Sequence, residues 1–415
     1  MDKMRKRDFL YFGNIDEMSY EDLVKTKEYV DKYLSSITCE AEMKMSVIAK
    51  EYDMQNHDVR YNFAFADKVY GYAIEHGKDV RGHNLVWPNH EPEALDDYIE
   101  DRLGCSMQEY ERKHPEDFKE KRKKITLEFL ENYIKNMEKR YPKCYCWDVI
   151  NEVVPDMHKE EISEDEKKTG LRNSKWNEYI GQDEEGNDFY IEVLKLARKN
   201  LPENKKLFYN EYGEQHSEKR KAIIDVINKI KVYEQKHEVV LLDGVGLQSH
   251  YDLNVTEQQL EDIYNDFSAV GKEIQVTEVD ITPEIDEKGN LRPYNPDNID
   301  KYAKIWGKIF ELSERYDVQA FTGWGVNDNL SWFRDVGCTM IGKDGQIKDF
   351  AKEFIEKTKK TSIFQDFGKI SVEEYSDVAR DVKKGNPLNN MNRATYALRS
   401  AIEDRTIEEN EKNIK

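Results

Sequence analysis

The chain has 415 residues, 38% hydrophobic and 36% charged, with 16 Phe, 25 Tyr and 6 Trp. That is enough apolar bulk for a large core under a charged surface, and it excludes a disordered chain. The formal net charge of −20 repels phosphate backbones and anionic lipid, so nucleic acid and membranes are excluded as partners while a neutral ligand is not. Length alone does not choose between two or three average domains and a single barrel with insertions.

In chain order, the N-terminal segment MDKMRKRDFLYFGNIDEMSYED lacks the apolar run and small-residue cleavage site of a secretory leader. A cytoplasmic protein is expected, or a secreted one if the chain is a trimmed mature form. Eight short β-branched or aromatic runs read as strands: FLYFG at 9–13, SSITCEAEM at 35–43, VRGHNLVW at 80–87, CYCWDVINE at 144–152, KKLFYNE at 205–211, LDGVGLQSH at 242–250, EIQVTEVDI at 273–281 and VQAFTGWGV at 318–326. Segments of helical period alternate with them, such as EFLENYIKNMEKRY, FYIEVLKLARKNL, RKAIIDVINKIKVYE and IDKYAKIWGKIFELSERY. Eight βα units predict an α/β fold, the (β/α)8 TIM barrel, over residues 1–360, with its site at the C-terminal ends of the strands. Residues 93–123 read as a charge-dense helical insertion after the third strand, and 156–169 as an acidic loop. Residues 361–415 read as a charged, helical C-terminal extension.

Polar residues gather at the predicted strand ends: His83, Asn151 and Glu152, Asn210 and Glu211, Gln248 and His250, Glu278 and Asp280. Buried strands of a parallel sheet are ordinarily continuous apolar runs, so polar groups in these places need a reason. In WDVINE, a strand rich in apolar residues ends in an amide and a carboxyl group. Desolvation there favours the neutral form and suits Glu152 to proton donation. In VTEVDI the two-residue period puts Glu278 and Asp280 on one face, and Gln248 and His250 share a face on the preceding strand. A histidine so placed can hydrogen-bond the carboxylates and keep one ionised. Each glutamate alone has the plainer reading of a salt bridge; together they converge on one end of one barrel.

Two carboxyl groups flanking a bond, with aromatic faces and neutral hydrogen-bonding groups around them, is what glycoside hydrolysis requires. Trp87, Trp324 and Trp332, with Lys44, His83, Asn151 and Gln248, supply the surroundings. Each tryptophan taken singly is equally explained by core packing. No cofactor is called for. The five cysteines, Cys39, Cys105, Cys144, Cys146 and Cys338, make neither an even framework nor a metal spacing, so free thiols and no metal are expected.

These residues resemble glycoside hydrolase family 10, the β-1,4-xylanases, over roughly residues 9–360. GHNLVW at 82–87, WDVINE at 147–152, GLRNSKW at 170–176, FYNEYG at 208–213, DGVGLQSH at 243–250, VTEVDI at 276–281 and WGVNDNLSW at 324–332 match the family's segments in order. The resemblance implies a retaining endo-β-1,4-xylanase acting on xylan or xylo-oligosaccharides, with Glu152 as acid/base and Glu278 as nucleophile. It further implies that Asn151 contacts the sugar 2-hydroxyl and that His250 and Asp280 hold Glu278, with Asn210 in support. Glu40, Lys44, His83, Trp87, Tyr212, Gln248 and His250 fall with the substrate-binding residues, and Trp324 and Trp332 with the walls.

The chain departs from the family pattern in three places. Glu40-Ala41-Glu42-Met43-Lys44-Met45 stands where Glu-Asn-x-Met-Lys-Trp is usual, Pro88 follows Trp87 in place of a histidine, and Glu211 follows Asn210 in place of an aspartate. None touches Glu152 or Glu278, so the expected consequence is altered distal sugar binding with catalysis kept. The alternatives are a barrel that binds carbohydrate without turnover, and an enzyme for a β-glucan or aryl glycoside.

Overall fold

The structure, a computed structural model, describes the backbone of residues 7–11 and residues 34–157, 162–283, 298–325, 328, 331, 337–342 and 346–352. The predicted extension from residue 361 and Trp332 lie outside the described residues.

All eight predicted strands form. β1 (Arg7–Tyr11) and β2 (Ser36–Thr38) are followed by a single helical turn, α1 (Met45–Ile48), and by an antiparallel hairpin absent from the sequence reading, β3 (Glu51–Asp53) with β4 (Asp58–Arg60). Then come α2 (Ala64–Glu75), β5 (Asp79–Val86), α3 (Ala94–Leu103), α4 (Met107–Lys113), α5 (Phe118–Arg140), β6 (Cys144–Asn151), α6 (Glu164–Thr169), α7 (Lys175–Ile180), α8 (Phe189–Asn200), β7 (Lys206–Glu211), α9 (Ser217–His237), β8 (Gly244–Leu247), β9 (His250–Asp252), α10 (Glu257–Val270), β10 (Glu273–Thr282), α11 (Ile299–Arg315) and β11 (Ala320–Gly323).

Three boundaries differ from expectation. The insertion predicted over 93–123 is two short helices, α3 and α4, and its last residues are already the first turns of α5. Only α3 buries an apolar face, through Ala94, Leu95, Tyr98 and Ile99. The strand predicted over 242–250 is two strands, because Ser249 takes a left-handed φ of 60° between them and breaks the extended run. The loop predicted over 156–169 ends in α6, started by a capping box in which Ser163 accepts from the Glu166 amide.

The local causes are ordinary. In α10 a Thr256–Gln259 capping box starts the helix, Leu260, Ile263, Tyr264 and Phe267 recur on the buried face, and Gly271 closes it in the left-handed conformation. None of the five cysteines forms a disulfide. Among the described residues no helix is long and apolar enough to cross a membrane.

Contacts divide the chain into two units, one from residues 1–40, 64–81 and 247–415 and one from 41–63 and 82–246. In the first, β1 pairs in parallel with β2 and β11, β11 with β10, and β10 with β9, while β2 pairs with the start of β5. In the second, β6 pairs in parallel with β7, and α5 packs against α3, α7 and α8. Eight predicted strands in βα succession, with parallel pairing, make this the (β/α)8 barrel that the sequence predicts.

Candidate active-site residues

In the second unit the strands that carry polar groups are buried along almost their whole length. Its part of β5, Gly82 through Val86, is buried, and β6 is buried at every position but Tyr145. Gly82 permits this, because a Cβ there would lie 2.1 Å from the Trp147 ring. Asp148 takes up the next polar group, its carboxylate 2.9 Å from His83 Nδ1 with both side chains buried.

Trp87, just after β5, is contacted from several directions. Lys44 Nζ sits 4.3 Å from its ring centroid, and His90 stacks on it at 4.2 Å with an interplanar angle of 25°. His90 Nδ1 is in turn 2.8 Å from Ser46 Oγ. Burial, with help from the Lys44 and His83 charges, pushes the His90 pKa down to about 4, so the ring is neutral near pH 7. Trp87 Nε1 donates to Glu152 Oε2 at 2.9 Å, and Asn89 Nδ2 reaches the same oxygen at 3.5 Å.

Glu152 itself follows the last residue of β6 and is 8% exposed. Its backbone is left-handed, with φ of 54°. Its amide donates to Asn210 O at 3.0 Å, while Asn210 Nδ2 donates to Asn151 Oδ1 at 2.8 Å across the register pair of β6 and β7. The residues after it are held as firmly. Arg172 donates from its backbone N to Val153 O (2.7 Å), from Nε to Glu152 O (3.1 Å) and from Nη2 to Val154 O (3.1 Å) and Tyr212 Oη (3.1 Å).

Glu211 stands under this segment, accepting from the Val154 amide at 2.8 Å and from Tyr209 Oη at 2.9 Å. Burial raises its pKa to about 7. The Lys219 charge opposes the rise and that of Glu152 adds to it. Lys219 is fully buried. Its ammonium lies 2.9 Å from Asp156 Oδ1, 3.7 Å from Glu211 Oε2 and 3.3 Å from the Tyr212 ring centroid, and Tyr212 Oη donates to Asp156 at 2.6 Å. Tyr212, expected among the sugar-binding residues, is therefore tied by its hydroxyl and one contact of its ring into an ionic network. Met45, where the family pattern has tryptophan, is buried on α1.

In the first unit, Asp280 and His250 are register partners of β10 and β9. His250 Nδ1 lies 2.9 Å from Asp280 Oδ1 and its Nε2 lies 3.3 Å from Glu278 Oε2. Burial alone would lower the imidazole's pKa, but the two carboxylates outweigh it and hold the pKa well above the ordinary value. A protonated His250 is a fixed positive charge that favours ionised Glu278. Trp324 meets His250 edge-on at 6.3 Å, and its amide donates to Val279 O at 2.9 Å. Gln248, Glu278 and Asp280 are buried, and Glu40 is half-buried.

Sequence reasoning missed Asp148, Asn89, Arg172, Asp156 and Lys219 as parts of these groups. Asp148 lies inside the WDVINE segment, but a register shift between Asp148 and Ile150 interrupts the strand's alternation before Glu152. Arg172 lies in the GLRNSKW segment and Lys219 among the charges that open α9, where nothing local marks either. One cluster among the described residues has cation-ligand proximity, His114, Glu116 and Asp117, and all three are exposed, as acidic surface groups commonly are.

The chain is similar to several known proteins. The chain is 30% identical over 313 residues to endo-1,4-beta-xylanase A of Thermotoga maritima, covering 74% of this chain and 26% of that one. It is 29% identical over 320 residues to the beta-1,4-xylanase of Dictyoglomus thermophilum, covering 75% of each. The match thus spans about a quarter of the length of the Thermotoga relative. The endo-1,4-beta-xylanase of Caldicellulosiruptor owensensis superposes with a TM-score of 0.67 over 85% of this chain and 96% of that one, at 24% identity, a likeness of fold. The model of glycosyl hydrolase family 10 matches residues 1–357, and the chain belongs to that family.

Proposed function

We propose that the chain is an endo-1,4-β-xylanase that cleaves xylan or xylo-oligosaccharides with retention of configuration. The observation that carries the roles is the asymmetry between the two glutamates. Glu278 faces His250, which Asp280 holds as a cation, and this supports an ionised carboxylate able to attack an anomeric carbon. Glu152 receives Trp87 Nε1 and Asn89 Nδ2 on one oxygen, which orients the carboxyl group that serves as proton donor in this reading.

In the first step Glu278 forms a bond to the anomeric carbon while Glu152 gives its proton to the departing glycosidic oxygen. In the second, Glu152 takes a proton from water, whose oxygen displaces Glu278. This double displacement needs the carboxyl groups roughly 5–5.5 Å apart. Family membership, the names of the curated relatives and a fold neighbour crystallised with xylohexaose support xylan as the substrate class.

The test is hydrolysis of xylohexaose, followed over time, by the wild type, Glu152→Ala and Glu278→Ala. Internal cleavage with retained configuration, and loss of roughly 10²-fold or more in both variants, is expected. Wild-type rates in either variant would refute the roles, and faster cleavage of cello-oligosaccharides would refute the substrate.

A further inference from the structure

Glu152 is one of five non-glycine residues with positive φ among the described residues. Side chains rarely occupy that region, and they remain there only where the surroundings leave no alternative. The surroundings here converge on one residue. Arg172 takes the carbonyls of Glu152, Val153 and Val154, three in succession, through its Nε, its own backbone N and its Nη2. Its free rotation is restricted in turn by Tyr212 Oη at 3.1 Å, with Tyr212 fixed by Asp156 and Asp156 by Lys219.

The amides on the same segment are satisfied from elsewhere, Glu152 N by Asn210 O and Val154 N by the Glu211 carboxylate. Both edges of residues 152–154 are therefore pinned, and the larger share of the carbonyl side rests on one planar guanidinium. A guanidinium can do this because its donors are splayed in a rigid fork; an ammonium offers a single point of charge.

We propose that Arg172 is a positioning residue for proton transfer, holding the left-handed turn that aims the Glu152 carboxyl at the leaving oxygen. This rests on Glu152 being the acid/base. Arg172 touches no reacting atom. Its effect passes through backbone geometry, where a displacement of about 1 Å can cost on the order of 100-fold. The consequence is selective: a substrate whose leaving group needs a proton suffers, and one whose leaving group departs unaided does not.

The experiment compares Arg172→Lys and Arg172→Met with Glu152→Gln on two substrates. One is xylotriose, whose departing sugar needs a proton; the other is 2,4-dinitrophenyl β-xylobioside, whose phenolate does not. Glu152→Gln is the reference, expected to lose roughly 10²–10⁴-fold in kcat/KM on xylotriose and little on the aryl glycoside. Arg172→Met is expected to lose about 10–100-fold on xylotriose and less than about 3-fold on the aryl glycoside, with Arg172→Lys between it and the wild type.

The ratio of the two rates on one preparation does not depend on how much protein is folded, so a purely structural role would lower both alike. Equal losses on both substrates, or no loss, in the Arg172 variants while Glu152→Gln discriminates would overturn the proposal. If Glu152→Gln itself fails to discriminate, the acid/base assignment falls, and this inference with it.

Discussion

Lys219→Met tests whether the ionic network beneath Glu152 is a real electrostatic unit. The substitution keeps the length and apolar stem of the side chain but removes an ammonium that is fully buried, 2.9 Å from Asp156 and 3.7 Å from Glu211. Unit charges about 4 Å apart interact by roughly 4 kcal/mol at an effective dielectric of about 20, and breaking a buried pair by removing one partner costs about 3–5 kcal/mol. The loss should depend on pH. Glu211 has a folded pKa raised from 4.5 to about 7, so between those values the folded state binds a proton that the unfolded chain has released. The wild type's stability therefore falls as pH rises from about 4.5 to about 7, and levels off above, by at most ~3 kcal/mol from this group. At pH 5 Glu211 is protonated in both proteins, and Lys219→Met removes only the charge partner of Asp156. At pH 8 the wild type's Glu211 has ionised beside Lys219, whereas the variant lacks the charge that opposes the rise in the Glu211 pKa and incurs a further penalty. Urea unfolding of wild type and variant at pH 5 and pH 8 should show a loss of about 3–5 kcal/mol at pH 8 and a distinctly smaller one at pH 5. A loss below about 1 kcal/mol at pH 8, or equal losses at both pH values, would mean that solvent or relaxation screens the network and that the reasoning is wrong.

Gly82→Ala should destabilise the protein by about 1–3 kcal/mol by overpacking, because its Cβ would lie 2.1 Å from the Trp147 ring; a melting temperature equal to wild type would contradict the close approach. Trp87→Phe keeps an aromatic ring beside Lys44 and His90 but deletes the Nε1 donor to Glu152. Its kcat/KM on xylo-oligosaccharides should fall about 10-fold or more with an unchanged melting temperature, and steady-state kinetics at full activity would remove the hydrogen bond from the account. Ala41→Asn should restore an amide where the family pattern has one and lower KM for xylotetraose about 3–10-fold, the worth of one net hydrogen bond, with xylobiose unaffected; an equal effect on both oligomers would show that position 41 does not read a distal sugar.

Much of the candidate site was legible because its signals are local. Glu278 and Asp280 sit two apart in a strand, and so do Gln248 and His250, so the period of the strand brings each pair to one face before any tertiary contact is known. The contact of His250 with both carboxylates follows that reading. The eight strands were legible for the same reason, their β-branched and aromatic runs being punctuated by helical segments. Where the reading failed, a single backbone event intervened. The left-handed turn at Ser249 cut one predicted strand in two, and the hairpin at 51–60 is too short and too polar to carry a period.

What the sequence by itself determined is the chemistry on offer: which carboxylates end which strands of a barrel of βα units. Only the tertiary structure decided how those groups are held. Lys219 reads in sequence as one more charge in SEKRK at the start of an amphipathic helix, yet it is fully buried against Asp156 and Glu211. Arg172 lies 20 residues beyond Glu152 and reads as a loop cation, yet it holds three carbonyls of the turn on which Glu152 sits. Periodicity reports which face a residue occupies. It carries no record of partners distant along the chain, because those are chosen by how the elements pack, and packing leaves no repeat in the sequence.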